Sequence, residues 1–400
     1  MSRDNPRAVK ITDALAEYTS LDDQPLSVVK NLGLRHLLCI LELRYEIPSH
    51  THITDTVLPK LHDFVKKHIH NLLHDVKTLS FTTDIWSSSV SSVSLISLTA
   101  QSIDDYFKLQ KAILHAKQFR GSHTGQAIAD EFDVMLQTWA INKSAVHVVL
   151  RDNAKNMVKA MRDVELLILP CVAHTLQLAV KEGLLAQRNV ADAVAVGRKI
   201  VGHFKHSALA YSQLEDIQVQ LNQPVKRLQQ DVPTRWNSTY YMFQSLIGND
   251  NFIVTAPQWS LFEKILSVLA PFEELTQKMS SRDALASDVI PAVIVLMRLL
   301  TNETDEDHGI KTMKETLAAA VKRHLGDRET NPMYCIGTLL NLRYKDRFFS
   351  NTDTATEAKE MLMLWRMSTG EADKQEDLGD PPVRKLRKVQ ASSSLDSLMR

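Results

Sequence analysis

The sequence has only three cysteines, Cys39, Cys171 and Cys335, in 400 residues. So few and so scattered, they cannot build a disulfide framework, and they fit a reducing compartment. Net charge is absent as well: 47 lysines and arginines balance 47 aspartates and glutamates. No global positive field marks a nucleic-acid binder, so any such role has to rest on local patches. No uninterrupted apolar run approaches the ~20 residues of a membrane span, and the opening Met-Ser-Arg-Asp-Asn-Pro-Arg has no apolar signal core. The expectation is a soluble intracellular protein, and its length suggests two or three domains of about 150 residues each.

What the chain does have is two strand-like runs that each stop on an aspartate. In Leu79-Ser-Phe-Thr-Thr-Asp-Ile-Trp-Ser-Ser-Ser89 the larger side chains alternate with small polar ones up to Asp84, and serines then release the chain into a turn. Ala145-Val-His-Val-Val-Leu-Arg-Asp152 repeats the layout and is followed at once by a helix start, Asn153-Ala-Lys-Asn-Met157. Either aspartate alone reads equally well as a cap for free helix-start amides. Together, on neighbouring strands of one sheet, Asp84 and Asp152 would meet at the carboxyl end of the sheet, where open α/β folds keep their ligand crevice. Such a pair suits a hard divalent cation, Mg2+ or Mn2+, which takes carboxylate and phosphate oxygens.

Periodicity organises the rest. Residues 11–45 read as interrupted helix with Val28, Val29, Leu32, Leu37, Leu38 and Leu41 on one face, and a second helix from about Thr56 carries Leu61, Phe64, Val65, Ile69, Leu72, Leu73 and Val76. Its histidines, His62, His68, His70 and His74, do not fall on one line and read as solvated rather than metal-binding. Strands over 93–103 and 106–119 joined at Asp104-Asp105 predict an antiparallel meander with the first. A crossover helix over 123–141 leads to the Asp152 strand, and a short apolar run, 166–169, precedes another helix. Three antiparallel strands followed by strands alternating with helices describe an α/β fold with a ribonuclease-H-like mixed sheet. From Asn189 to about Arg323 only helical patterns remain, over 190–219, 235–247, 261–279, 288–300 and 312–325. The expected organisation is a helical region over 1–77, the sheet core over 78–188, a helical insertion over 189–330, a helical segment over 331–369 that starts with helix across 336–349, and a disordered basic, serine-rich tail over 370–400.

Six short motifs in this order resemble the hAT transposase superfamily, in particular vertebrate proteins derived from it that carry BED-type zinc fingers. They are Thr83-Asp84-Ile85-Trp86-Ser87-Ser88, His123-Thr124, Arg151-Asp152-Asn153-Ala154-Lys155-Asn156-Met157, Cys171-Val172-Ala173-His174-Thr175-Leu176, Thr234-Arg235-Trp236-Asn237-Ser238 and Leu339-Leu340-Asn341-Leu342-Arg343-Tyr344-Lys345. The resemblance covers roughly residues 10–350. It implies a ribonuclease-H-like core interrupted by a helical insertion. It also implies that Asp84 and Asp152 match the first two of three carboxylates that hold divalent ions for DNA cleavage and joining. Cys171 and His174 match a Cys-x-x-His motif. With no second half, the pair points away from zinc and toward packing at a helix start or support beside Asp152. Arg235 and Trp236 match an Arg-Trp motif that resembles a DNA contact, the indole either stacking on an unpaired base or serving as a core tryptophan.

Departures from the family pattern shape the functional expectation. The third carboxylate, in a carboxyl-terminal dimerisation segment, finds no match, and Glu357 or Glu360 would have to replace it. The amino-terminal region has no paired cysteines and histidines of a BED finger. The expectation is a transposase-derived, catalytically incomplete nuclear protein that associates with DNA or with protein partners; a homodimer stays open because the dimerisation segment has no match. An active transposase or nuclease and a pure scaffold are the alternatives. Lys199, Lys205, Lys226, Arg227 and Arg235 are candidates for a basic DNA surface, and Arg384-Lys385-Leu386-Arg387-Lys388 for a second one or for a nuclear localisation signal.

Overall fold

The alternation around Asp84 produces the central strand of a sheet. In the computed structural model, which describes residues 1–88, 91–248, 255–304 and 307–368, β1 spans Leu79–Ser87, with Leu79, Phe81 and Thr83 buried and Asp84 exposed. It pairs antiparallel with β2, Ser94–Ile103, which pairs antiparallel with β3, Leu109–Gln118. On its other side it runs parallel to β4, Val146–Arg151, and β5, Ile168–Pro170, closes the order β3-β2-β1-β4-β5. This is the mixed sheet that the strand patterns predict.

The chain divides into two compact units, Met1–Leu169 and Pro170–Arg400. In the first, α1, Pro6–Leu21, starts on Asn5, whose side chain accepts from Arg7 N–H. A 3-10 turn, Leu26–Lys30, precedes α2, Leu32–Leu41. Then α3, His50–His52, runs through a π-helical turn, Ile53–Val57, into α4, Leu58–His74. Leu15, Val28, Val29 and Ile53 form a small core here. The apolar face expected of α2 is not used: Leu32, Leu37 and Leu41 are exposed. α4 docks near both ends, through Leu58 on this small core and through Ile69 and Leu73 on the core beneath the sheet, while Phe64 and Leu72 stay exposed. His70 departs from the expectation of a solvated residue, because its ring lies 4.6 Å from that of Trp139. His62, His68 and His74 are exposed.

The main core lies between the sheet and two helices, α5, Gly125–Thr138, and α6, Lys155–Asp163. Ile128, Phe132, Met135 and Leu136 of α5 and Met157 and Met161 of α6 bury against Phe81, Ile96, Leu98 and Val149. Each fully buried side chain of this size contributes about 1.5–3 kcal/mol. Thr124 caps α5 by accepting from Ala127 N–H at 3.2 Å.

Past Pro170 the described residues form helices and turns only. The helices are α7, Val172–Leu184; α8, Arg188–His206; α9, Ala208–Gln220; α10, Trp236–Ile247; α11, Ala256–Ser280; α12, Val289–Thr301; α13, Lys311–Leu325; α14, Pro332–Leu340; and α15, Thr352–Ser368. The helix expected over 190–219 breaks at Ser207, whose hydroxyl accepts from Ala210 N–H and starts α9 afresh. α7 belongs to this unit, although the sequence pattern groups it with the sheet. Gly183 explains its fit against α13, since a Cβ there would lie 2.7 Å from Leu317 Cδ2. The helix expected across 336–349 stops at Leu340, because Asn341 turns the chain, donating to Ser287 Oγ at 2.9 Å and accepting from Arg343 N–H at 3.1 Å. The basic tail motif, 384–388, lies outside the described residues. No helix among the described residues is long and apolar enough to cross a membrane.

Candidate functional site

The parallel register of β1 and β4 pairs Ser80 with Val148, Phe81 with Val149 and Thr82 with Leu150. Carried two residues further, it sets Asp84 opposite Asp152, on strands about 4.8 Å apart. Three residues beyond the inward-facing Phe81 and Val149, both aspartates fall on the opposite face of the sheet. Asp84 is exposed and Asp152 half-buried. Local bonds fix each carboxylate: Asp84 Oδ1 accepts from Ile85 N–H at 2.9 Å, and Asp152 Oδ1 from Ala154 N–H at 3.1 Å.

Most of the motif around Asp152 serves to hold it there. The buried Arg151 donates through Nη1 to the Asp152 carbonyl at 2.7 Å and to Asn153 Oδ1 at 2.9 Å, tightening the turn into α6. Asn156 Nδ2 donates to the His123 carbonyl at 2.9 Å, and the His123 ring stacks on Phe119 at 5.0 Å. Two motifs, linked by a bond that spans 33 residues of sequence, thereby brace one strand end.

A divalent ion held by few protein ligands is the arrangement Mg2+ favours, with phosphate and water completing the octahedron. The Asp84 and Asp152 pair fits the minimum of such a donor set. Among the described residues no group of three or more His, Cys, Asp and Glu is placed to hold a metal ion. Glu357 and Glu360 lie exposed on α15, in the helical unit. Cys171 and His174, also in that unit, are half-buried; Cys171 is the residue before α7, and its carbonyl accepts from Thr175 Oγ1 at 2.8 Å.

The Arg235-Trp236 motif is built differently. Trp236 opens α10 and is only 5% exposed, its indole packed edge-on against Phe272 at 6.2 Å. Of the two roles open to it in the sequence, this packing matches the core tryptophan, and the indole is not offered to a base. Arg235 just before it is exposed. Gln177 of α7 brackets this turn, donating to the Thr234 carbonyl at 3.0 Å and accepting from Trp236 N–H at 3.1 Å. Beneath it sits Asp231, 6% exposed, which accepts from Thr239 Oγ1 and Ser238 Oγ at 2.8 Å and pairs with Arg198 of α8. On α11 the buried Glu273 accepts from Tyr241 and Gln277. Burial, together with that hydrogen bond to Glu273, pushes the Tyr241 phenol above its ordinary range.

Of the basic candidates, Lys205 and Arg227 come together. They line a groove of about 680 Å3 with His206, Phe204, Tyr211 and Glu215. Lys199, Lys226 and Arg235 are exposed but lie outside that lining. Gln177, Asp231 and the Glu273 network escape sequence reasoning. Only Ser238, inside its motif, carried a signal, and its partner Asp231 stands seven residues upstream of it.

Two family models match adjoining parts of the chain, the ZBED1 RNase-like domain over residues 82–174 and the ZBED1 RNase-like helical domain over residues 169–260. Among curated relatives, human zinc finger BED domain-containing protein 4 is 28% identical over 383 residues, covering 90% of this chain and 32% of the relative. Human zinc finger BED domain-containing protein 6 is 26% identical, covering 78% and 34%. A Zea mays protein named for the AC transposase is 26% identical, covering 54% and 30%. The chain therefore spans about a third of the length of these relatives. Sheet order and family matches define an RNase-H-like core joined to a helical domain. These matches support a transposase-derived protein, similar to the BED-type zinc finger proteins and the hAT-type transposases.

Proposed function

We propose that this chain is a DNA-associated nuclear module of transposase descent that acts through its helical unit, on DNA or on protein partners, and does not cleave DNA. The observation that supports the reading is the β1–β4 register, which, carried two residues past Thr82 and Leu150, brings Asp84 opposite Asp152, while among the described residues no third ligand is grouped with them. Two-metal strand cleavage clamps both the attacking and the leaving oxygen, which takes more ligands than one pair of carboxylates supplies. A Mg2+ or Mn2+ ion on the pair would still contribute positive charge to a passing phosphate. The same alignment favours an active nuclease only if a further carboxylate reaches the pair from another chain or from residues outside those described.

Support for DNA association comes from the helical unit, where Lys205 and Arg227 share a groove and Lys226, Arg227 and Arg235 stand exposed along residues 226–235. Phosphate contacts of this kind release counterions, so affinity should fall steeply with salt. The test is a salt titration of duplex DNA binding by the whole chain and by Lys205→Ala/Arg227→Ala. Removing two phosphate contacts should shallow the slope by about two. An unchanged slope would take the groove off the DNA path, and undetectable or salt-independent binding would remove the DNA role. Nuclear localisation is read from Arg384, Lys385, Arg387 and Lys388, and alanine at all four should shift the protein toward the cytoplasm in cells.

A further inference from the structure

The hairpin between β2 and β3 presents large apolar side chains that the fold does not use. Tyr106 is 83% exposed, Phe107 92%, Ile103 68% and Ile113 66%. The register pairs Ile103 with Leu109, Gln101 with Lys111 and Thr99 with Ile113, so Ile103 and Ile113 share the face opposite the buried Leu98 and Ala100, with Tyr106 and Phe107 in the turn beyond them. Since β3 is an edge strand, the patch runs to the rim of the sheet. Soluble proteins seldom leave clustered apolar residues uncovered without an interaction to cover them.

The tip is also rigid. Asp104 Oδ1 accepts from Tyr106 N–H at 3.0 Å and from Lys108 N–H at 2.8 Å, and Oδ2 accepts from Gln110 Nε2 at 2.8 Å. Phe107 sits at φ 57°, in the left-handed region that disfavours a side chain of its kind. A turn held this tightly, with a strained residue at its tip, has its backbone preordered for contact, and little backbone entropy remains to be lost on binding.

Charge selects the partner. Asp104 and Asp105 lie on the β2 side of the tip and Lys108 and Lys111 on the β3 side, so the four formal charges sum to zero. A neutral patch has no field for a phosphate backbone or an anionic membrane surface. An acidic side and a basic side flanking an apolar centre are complementary to their own copy turned by a two-fold rotation, as an isologous contact requires. We propose that this hairpin tip is a self-association surface, through which two copies pair with Tyr106 and Phe107 at the centre and Asp105 of each facing Lys108 of the other. Four aromatic rings burying about 150–250 Å2 each place the contact at the small end of specific interfaces, so the dimer is weak and dependent on concentration.

Sedimentation of the full chain across a concentration series tests this. The wild type should show a reversible monomer–dimer equilibrium. Tyr106→Ser and Phe107→Gly should each weaken it about tenfold or more, roughly the 1.4 kcal/mol that one decade represents. Phe107→Gly should keep or raise the melting temperature, since glycine relieves the positive φ. Asp105→Lys and Lys108→Asp should each weaken the dimer, and the double exchange should restore it. A chain that stays monomeric at every concentration, a dimer indifferent to Tyr106 and Phe107, or a double exchange no better than the single ones would each overturn the proposal.

Discussion

The two motif centres are made by opposite means. In the sheet unit, the two aspartates are positioned by strand register and by bonds to neighbouring backbone amides, and their side chains lie on the outer face. In the helical unit, the Arg235 motif is held by buried polar side chains, Asp231 above all, and by a tryptophan sunk into the core. One centre is a surface feature of a fold that stands without it; the other is part of what keeps its unit folded. Substitutions should therefore have large stability effects at the second centre and small ones at the first.

The largest effect is expected for Trp236→Ala. Removing a buried indole packed on Phe272 should destabilise by about 3–5 kcal/mol, read as a lowered denaturation midpoint of the helical unit. A loss under about 1 kcal/mol, with DNA affinity falling instead, would return the indole to a base-stacking role and break the contrast. Asp231→Ala should follow at about 1–3 kcal/mol: it strands the buried Thr239 hydroxyl, while Ser238 keeps the Val232 and Arg235 carbonyls as acceptors and Arg198, 41% exposed, recovers part of its loss in water. Urea unfolding monitored by tryptophan fluorescence would measure it.

A smaller effect separates the units by pH. Burial, with help from the Lys117 and Lys66 ammonium groups, holds the His115 imidazole below its ordinary value of 6.5, against the opposing pull of the Met135 carbonyl and Glu131. The folded sheet unit thus binds fewer protons than the unfolded chain just below that value. Stability is fully present above about pH 6.5 and declines as pH falls toward the lowered folded-state value. His115→Gln should flatten that decline, and an unchanged pH profile would show that another group drives it. The smallest effect is expected for Asp84→Asn/Asp152→Asn, within about 0.5 kcal/mol of the wild type, the usual range for surface positions.

The same contrast explains what was legible in the sequence. Strand alternation and β-branched runs located β1, β2, β3 and β4, because periodicity of two is a local signal, and put Asp152 at the end of β4; β1, expected to stop on Asp84, runs on to Ser87, because Ile85, Trp86 and Ser87 still pair with β2. The helical pattern past Asn189 was visible from its own local periodicity. The partners of the Arg235 motif were not, since Gln177 and Arg198 reach it from α7 and α8 and Asp231 from the loop before α10, and no spacing links them. Trp236 could not be decided from type alone, as its burial depends on Phe272, 36 residues away. His70 escapes the sequence because helix periodicity says nothing of Trp139, the ring it packs against. The end of α14 depended on Ser287, more than 50 residues earlier, which captures Asn341.

The central claim is that Asp84 and Asp152 form an aligned but incomplete centre. The most direct test incubates the purified chain with a labelled DNA duplex in Mg2+ or Mn2+, beside Asp84→Asn/Asp152→Asn, while calorimetry follows ion binding. The account predicts weak ion binding that is lost in the double variant, and intact DNA throughout. Cleavage by the wild type that disappears in the variant would show that a third ligand completes the site, and would contradict it.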